Sequence, residues 1–132
     1  MGNKKILIVD DDIDIINVLK AVLENDDYVV VTAYSKKEGL EKLKTEKPDL
    51  AILDVIMETN QAGFELAREI KQQAGFEKLP LLMLTSIGDV TGVNFKAAMS
   101  DPEWLPADSY IEKPIDPDEL LEEIKALFEN VE

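Results

Sequence analysis

Four separated points of the chain carry side chains suited to a divalent cation and a phosphoryl group: Asp10-Asp11-Asp12, Asp54, Thr85 and Lys113. Mg²⁺ prefers near-octahedral oxygen coordination, keeps several waters and takes one or two carboxylates plus a phosphate oxygen. Aspartates crowded together repel one another, and a bound cation is the natural relief. A carboxylate is also a nucleophile toward phosphorus, in a reaction that depends mainly on positioning and on neutralising charge over the transferred oxygens. The Lys113 ammonium can supply part of that charge, and the Thr85 hydroxyl can donate to a phosphoryl oxygen. Taken singly, each residue has an ordinary explanation: an aspartate caps a helix, a threonine sits in a turn, a lysine is solvated. Their arrival at successive strand ends singles out the chemistry.

The elements that must position them are legible in the apolar pattern. Ile6-Leu7-Ile8-Val9, Leu50-Ala51-Ile52-Leu53 and Leu81-Leu82-Met83-Leu84 are short unbroken apolar runs, the mark of strands buried on both faces, and they end in Asp10, Asp54 and Thr85. Tyr28 to Thr32 and Ser109 to Glu112 complete five strands, the last followed by Lys113-Pro114. Helices are expected from Asp14 to Asn25, after the capping box Ser35/Glu38 with Leu40 and Leu43, through Phe64, Leu66, Ala67 and Ile70 after a loop over 58–63, over Val93 to Met99, and after the cap Asp116-Pro117 with Leu120, Leu121, Ile124, Leu127 and Phe128. Strands alternating with about five helices imply a parallel sheet covered on both faces, with its ligand site beyond the C-terminal strand ends.

Composition narrows the function further. The 132 residues, 45% of them hydrophobic, suit one compact domain over 1–132 with no output domain attached. No stretch approaches the roughly 18 apolar residues of a membrane span, and a cytoplasmic protein without membrane contact is expected. Cysteine and histidine are absent, which excludes disulfides, thiolate or histidine metal sites, triads with a histidine base and a phosphohistidine on these residues. A formal charge of −14 repels phosphate backbones, so direct nucleic-acid contact is not expected.

Ile8-Val9-Asp10-Asp11-Asp12, Leu53-Asp54-Val55-Ile56-Met57, Leu84-Thr85-Ser86 and Tyr110-Ile111-Glu112-Lys113-Pro114 together resemble the ordered motifs of the response-regulator receiver family. Each motif is weak alone, the ordered set is specific, and the similarity covers essentially the whole chain. The resemblance implies a flavodoxin-like, doubly wound five-stranded parallel sheet of order 2-1-3-4-5. It also implies a two-component phosphorelay in which Asp54 accepts phosphate from a sensor histidine kinase or a histidine phosphotransfer protein. Asp11 would bind Mg²⁺ directly together with Asp54, Asp10 largely through water, and Ile56 through its backbone carbonyl. Lys113 would pair with the phosphoryl group, preceding a cis bond to Pro114. Thr85 would move toward the phosphoryl oxygen and Tyr110 turn inward, altering a surface read by a downstream protein or by a second copy in a phosphorylation-dependent homodimer. Such a protein assists its own phosphorylation and dephosphorylation and is not a turnover enzyme.

Three departures from the family pattern stand out. Glu58 and Ala62 occupy positions where the family usually has proline and glycine, with Gly63 one step late, as a one-residue insertion would give. The span from Thr85 to Lys113 is long, and the segment 88–106, with Trp104, belongs to this chain. Ile56 and Ile87, two residues beyond Asp54 and Thr85, are expected to hinder attacking water and lengthen the life of a phosphoaspartate, which decay after acetyl phosphate labelling would measure.

On the first helix, Ile15, Ile16, Val18, Leu19, Val22 and Leu23 span an arc of roughly 160°, wider than docking on a sheet needs. The Ile15 and Val18 edge is the one on which relatives receive their kinase. Two other functions compete. A haloacid-dehalogenase-type phosphatase would use Asp10 as nucleophile with Asp12, but Ile13-Asp14 and the missing later acid pair depart from its pattern. A pseudo-receiver would use the fold only to bind protein, although every phosphotransfer residue is present.

Overall fold

The computed structural model describes residues 4–54, 62–85, 108–112 and 115–129, and only the backbone at 62–64, Thr85, Tyr110 and Glu112. Five strands, β1 (Lys5–Val9), β2 (Val29–Ala33), β3 (Leu50–Asp54), β4 (Leu81–Thr85) and β5 (Ser109–Glu112), form one parallel sheet of order β2-β1-β3-β4-β5. Helices α1 (Ile13–Asn25), α2 (Lys36–Glu46), α3 (Ala62–Gln72) and α4 (Pro117–Glu129) connect and cover them. The expected strand order is observed. The helix expected over Val93–Met99, with the whole of 88–106, lies outside the described residues.

The apolar runs are unbroken because both faces of the sheet are covered. Leu7, Val9, Ala51, Leu53, Leu81 and Met83 point to one face and pack with Leu43 of α2 and Leu66, Ala67 and Ile70 of α3. Ile6, Ile8, Leu50, Ile52, Leu82 and Leu84 point to the other and meet Ile16, Leu19 and Leu23 of α1 and Leu120, Ile124 and Leu127 of α4. Alternation of side chains along a strand turns one run into two cores.

Local chemistry starts and stops the helices where it is needed. The Asp12 carboxylate accepts the Asp14 N–H at 2.9 Å, so α1 begins at Ile13, one residue before the expected start. Ser35 Oγ accepts the Glu38 N–H at 3.1 Å while Glu38 Oε1 accepts the Tyr34 N–H at 2.7 Å, a capping box whose return bond lands one residue upstream of the usual place. Lys47, left-handed at φ 49°, closes α2 ahead of Pro48. Asp116 accepts the Asp118 N–H at 2.9 Å and Pro117 opens α4, as expected. Ala62 and Gly63, expected in the loop over 58–63, already belong to α3.

Gly39 sits where α2 crosses the end of β1. A Cβ there would lie 3.0 Å from Val9 Cγ2 and 3.3 Å from Leu66 Cδ2, so the bare backbone lets the helix seat directly before Asp10.

Ile52→Ala, a truncation inside a fully buried strand, is expected to lower the unfolding free energy by about 2–5 kcal/mol. Val18→Ala, at a side chain 57% exposed, is expected to change it by less than about 0.5 kcal/mol. Urea denaturation of the two variants measures both.

Candidate functional site

The parallel register sets the aspartates side by side. Val9 pairs with Leu53, so Asp10, the next residue on β1, emerges beside Asp54, the last residue of β3. Asp54 in turn pairs with Leu84, placing the Thr85 backbone one step further along the neighbouring strand, where it pairs with Glu112. Asp10, Asp54 and the Thr85 backbone therefore line the same edge of the sheet.

Asp10 is fully buried and Asp54 only 6% exposed, whereas Asp11 is exposed. The Asp10 carboxylate is anchored by the Asp12 N–H at 2.9 Å, and the Asp10 N–H donates to the Ala33 carbonyl at 3.1 Å. One carboxylate oxygen from each of Asp10, Asp11 and Asp54 lies within 4.8 Å of the others. Oxygens around a single Mg²⁺ are on the order of 3–4 Å apart, because each sits about 2.1 Å from the ion, so small side-chain rotations suffice to share one cation. The buried Asp10–Asp54 pair alone repels by on the order of 3 kcal/mol at an effective dielectric of about 20, and positive charge has to offset it. An all-oxygen set with one exposed member suits a hard cation that retains water.

Asp12 is not part of the cluster. Its carboxylate caps α1, so of the three consecutive aspartates two turn to the cluster and one to the helix. Its commitment to the cap removes the partner that a phosphatase-type Asp10/Asp12 pair would require.

The other expected site residues divide as follows. Thr85 and Tyr110 lie in β4 and β5 at the expected end of the sheet, with only their backbone described. Lys113 and Pro114, Ile56, Glu58 and Ile87 lie outside the described residues.

Beside the cluster, α1 presents apolar side chains to solvent. Ile16, Leu19 and Leu23 are buried, Ile15 and Val22 are partly buried against the core, and Val18 is 57% exposed. Ile13, 59% exposed, joins it. The sequence reading passed over Ile13 because it began the helix one residue late; its position directly after the capping Asp12 was the available signal.

The family model for the response regulator receiver domain matches residues 6–125. The chain belongs to that family. The receiver is 37% identical over 134 residues to the alkaline phosphatase synthesis transcriptional regulatory protein PhoP of Bacillus subtilis, the match covering 98% of this chain and 50% of that protein. It is 33% identical over 128 residues to the response regulator ArlR of Staphylococcus aureus, covering 94% of this chain and 52% of the relative. The chain thus spans about half the length of the curated relatives it matches. Among solved structures, a CheY-like response regulator receiver domain protein from Methanospirillum hungatei superposes with a TM-score of 0.80 at 33% identity, covering 97% of this chain and 96% of that one. The chemotaxis protein CheY4 of Vibrio cholerae does so with 0.82 at 28% identity, covering 96% and 99%. The receiver is a module of two-component signalling, and response regulators of this kind work with sensor histidine kinases. No helix among the described residues is long and apolar enough to cross a membrane.

If the cluster holds Mg²⁺, the ion at about a hundred times its Kd adds about 2.7 kcal/mol to the stability of the fold. Asp11→Asn is expected to stabilise the metal-free receiver by relieving repulsion and to reduce the response to Mg²⁺. Thermal midpoints of both proteins with Mg²⁺ and with EDTA check this, and a Mg²⁺ response equal in the two would contradict it.

Proposed function

We propose that this receiver accepts a phosphoryl group on Asp54, in a Mg²⁺-dependent step, from the phosphohistidine of a sensor kinase or histidine phosphotransfer protein. The convergence of the Asp10, Asp11 and Asp54 carboxylates at the end of β1 and β3 carries this reading. Bound there, Mg²⁺ would neutralise charge on the transferred phosphoryl oxygens. Asp11 and Asp54 would hold it directly, Asp10 largely through water, and the Ile56 carbonyl would complete the protein's share. The Asp54 carboxylate oxygen attacks phosphorus in line, the bond to the donor's imidazole nitrogen breaks, and that nitrogen leaves with the electron pair. Lys113 would pair with the phosphoryl group as a second cation, and Thr85 would donate its hydroxyl to a phosphoryl oxygen. Tyr110 follows Thr85 inward and changes the surface offered to a downstream protein. The receiver acts as a cytoplasmic switch that catalyses only its own modification.

The exposed Val18, on the helix that directly follows the aspartates, favours α1 as the place where the donor's helices dock.

Incubation with Mg²⁺ and acetyl phosphate is expected to add the mass of one phosphoryl group, sensitive to hydroxylamine and lost in Asp54→Asn. A receiver used only for binding would stay unmodified, and a phosphatase-type site would label at Asp10. Val18→Glu is expected to slow transfer from the cognate phosphohistidine protein by at least about tenfold, equivalent to the loss of a well-placed apolar contact. Its labelling by acetyl phosphate, which needs no docked protein, should be unchanged; full-speed transfer in a folded Val18→Glu protein would refute docking on α1.

A further inference from the structure

At the end of the sheet opposite the aspartates, where β3 and β4 begin, a cavity of about 520 Å³ opens to solvent. Pro48, Leu79 and Pro80, all buried, and Phe76, half-buried, give it an apolar floor, and the exposed Lys47 and Lys78 line it from the solvent side. The hollow lies where two helices stop. Lys47 closes α2 in a left-handed conformation, and Gly75, at φ 92°, turns the chain three residues after α3. A Cβ added at Gly75 would meet nothing within 4 Å, so the space over that turn stays open.

The polar groups of the floor are spent within the fold. Pro48 and Pro80 have no N–H to satisfy. The Pro80 carbonyl accepts the Ala51 N–H at 3.1 Å, the Leu79 N–H donates to the Phe76 carbonyl at 3.1 Å, and the Leu79 carbonyl accepts from Lys71 Nζ at 2.7 Å. The neighbouring carboxylates are engaged by backbone: Asp49 Oδ2 accepts the Lys5 N–H and Glu77 Oε1 the Gly75 N–H, each at 2.8 Å. Lys47 and Lys78 make no ion pair among the described residues, whose ion pairs are Lys5–Glu46, Lys36–Glu69 and Lys71–Asp108. Carbon below and two ammonium groups above are therefore what the cavity offers a ligand.

We propose that this cavity binds a small organic anion: an aromatic body seated on Phe76, Pro48 and Pro80, carrying one carboxylate or sulfonate within reach of Lys47 and Lys78. Its volume falls within the roughly 300–1,000 Å³ of small-molecule sites, which likewise combine an apolar lining with a few polar groups. A bare inorganic anion would leave the floor unused, and a cation would meet the two ammoniums. A rigid ring system loses little conformational entropy when it is held. The chain as a whole, at formal charge −14, repels anions, so binding depends on this local pair of lysines. The cavity lies roughly 16 Å along β3 from Asp54, at about 3.3 Å per residue, and is separate from the acidic cluster.

Titration with 8-anilinonaphthalene-1-sulfonate, followed by fluorescence and by amide shifts in ¹H–¹⁵N spectra, tests the assignment. A dissociation constant of roughly tens to hundreds of micromolar is expected, with the largest shifts at Lys47, Gly75, Phe76, Lys78 and Leu79. N-phenyl-1-naphthylamine, the same ring system without the sulfonate, is expected to bind at least about fivefold more weakly. Lys47→Glu combined with Lys78→Glu is expected to weaken the sulfonate at least about tenfold and to leave the neutral amine unchanged. Both lysines are exposed, and the neutral amine decides the role of charge on the wild-type protein even where the double variant fails to fold. No binding at millimolar probe, shifts centred on another surface, or equal affinity for the charged and neutral probes would each overturn the proposal. Labelling of Asp54 by acetyl phosphate is scored separately and stands or falls without it.

Discussion

Repulsion between carboxylates held at one end of the sheet is the constraint on which this structure turns. Asp10 and Asp54 are buried side by side because β1 and β3 are adjacent and in register, and Asp11 brings a third charge to them from the exposed side. Water would disperse these charges if the strands could move apart. They cannot, because Ile6 to Val9 and Leu50 to Leu53 are fully buried between two layers of helices. The hydrophobic free energy of the two cores is what holds the aspartates close, and their closeness is what makes a cation welcome there.

Much of this was legible in the sequence because a parallel α/β sheet writes plainly. Strands buried on both faces are unbroken apolar runs, and each run here ends at a residue whose side chain suits the proposed site. The caps at Ser35 and Asp116 were readable since a side-chain oxygen two or three residues ahead of an orphan N–H is a local feature. The strand order came from the family resemblance; alternation of elements alone implies a parallel sheet and not its permutation.

What stayed hidden depended on geometry that spacing does not encode. Three consecutive aspartates look alike in sequence, and only the family resemblance set Asp10 and Asp11 apart from Asp12; the cap that takes Asp12 to the helix depends on the backbone bend before Ile13. Ile13 was passed over because it belongs to a helix whose start is set by that cap. The absent Cβ of Gly39 matters only once α2 is seated on Val9. The helical start of α3 at Ala62 and Gly63 departs from the loop that glycine and polar residues suggest there. Exposure of Val29 and Tyr34 likewise follows from β2 being outermost, which no property of β2 alone announces.

The most direct measurement is the location of the cation. Crystals of the receiver soaked in Mn²⁺, an anomalous scatterer with the same preference for oxygen ligands, should show one ion among the carboxylates of Asp10, Asp11 and Asp54. It should contact Asp11 and Asp54 directly and be lost in Asp54→Asn. An ion bound elsewhere, or a cluster that stays without metal at saturating Mn²⁺, would contradict the account.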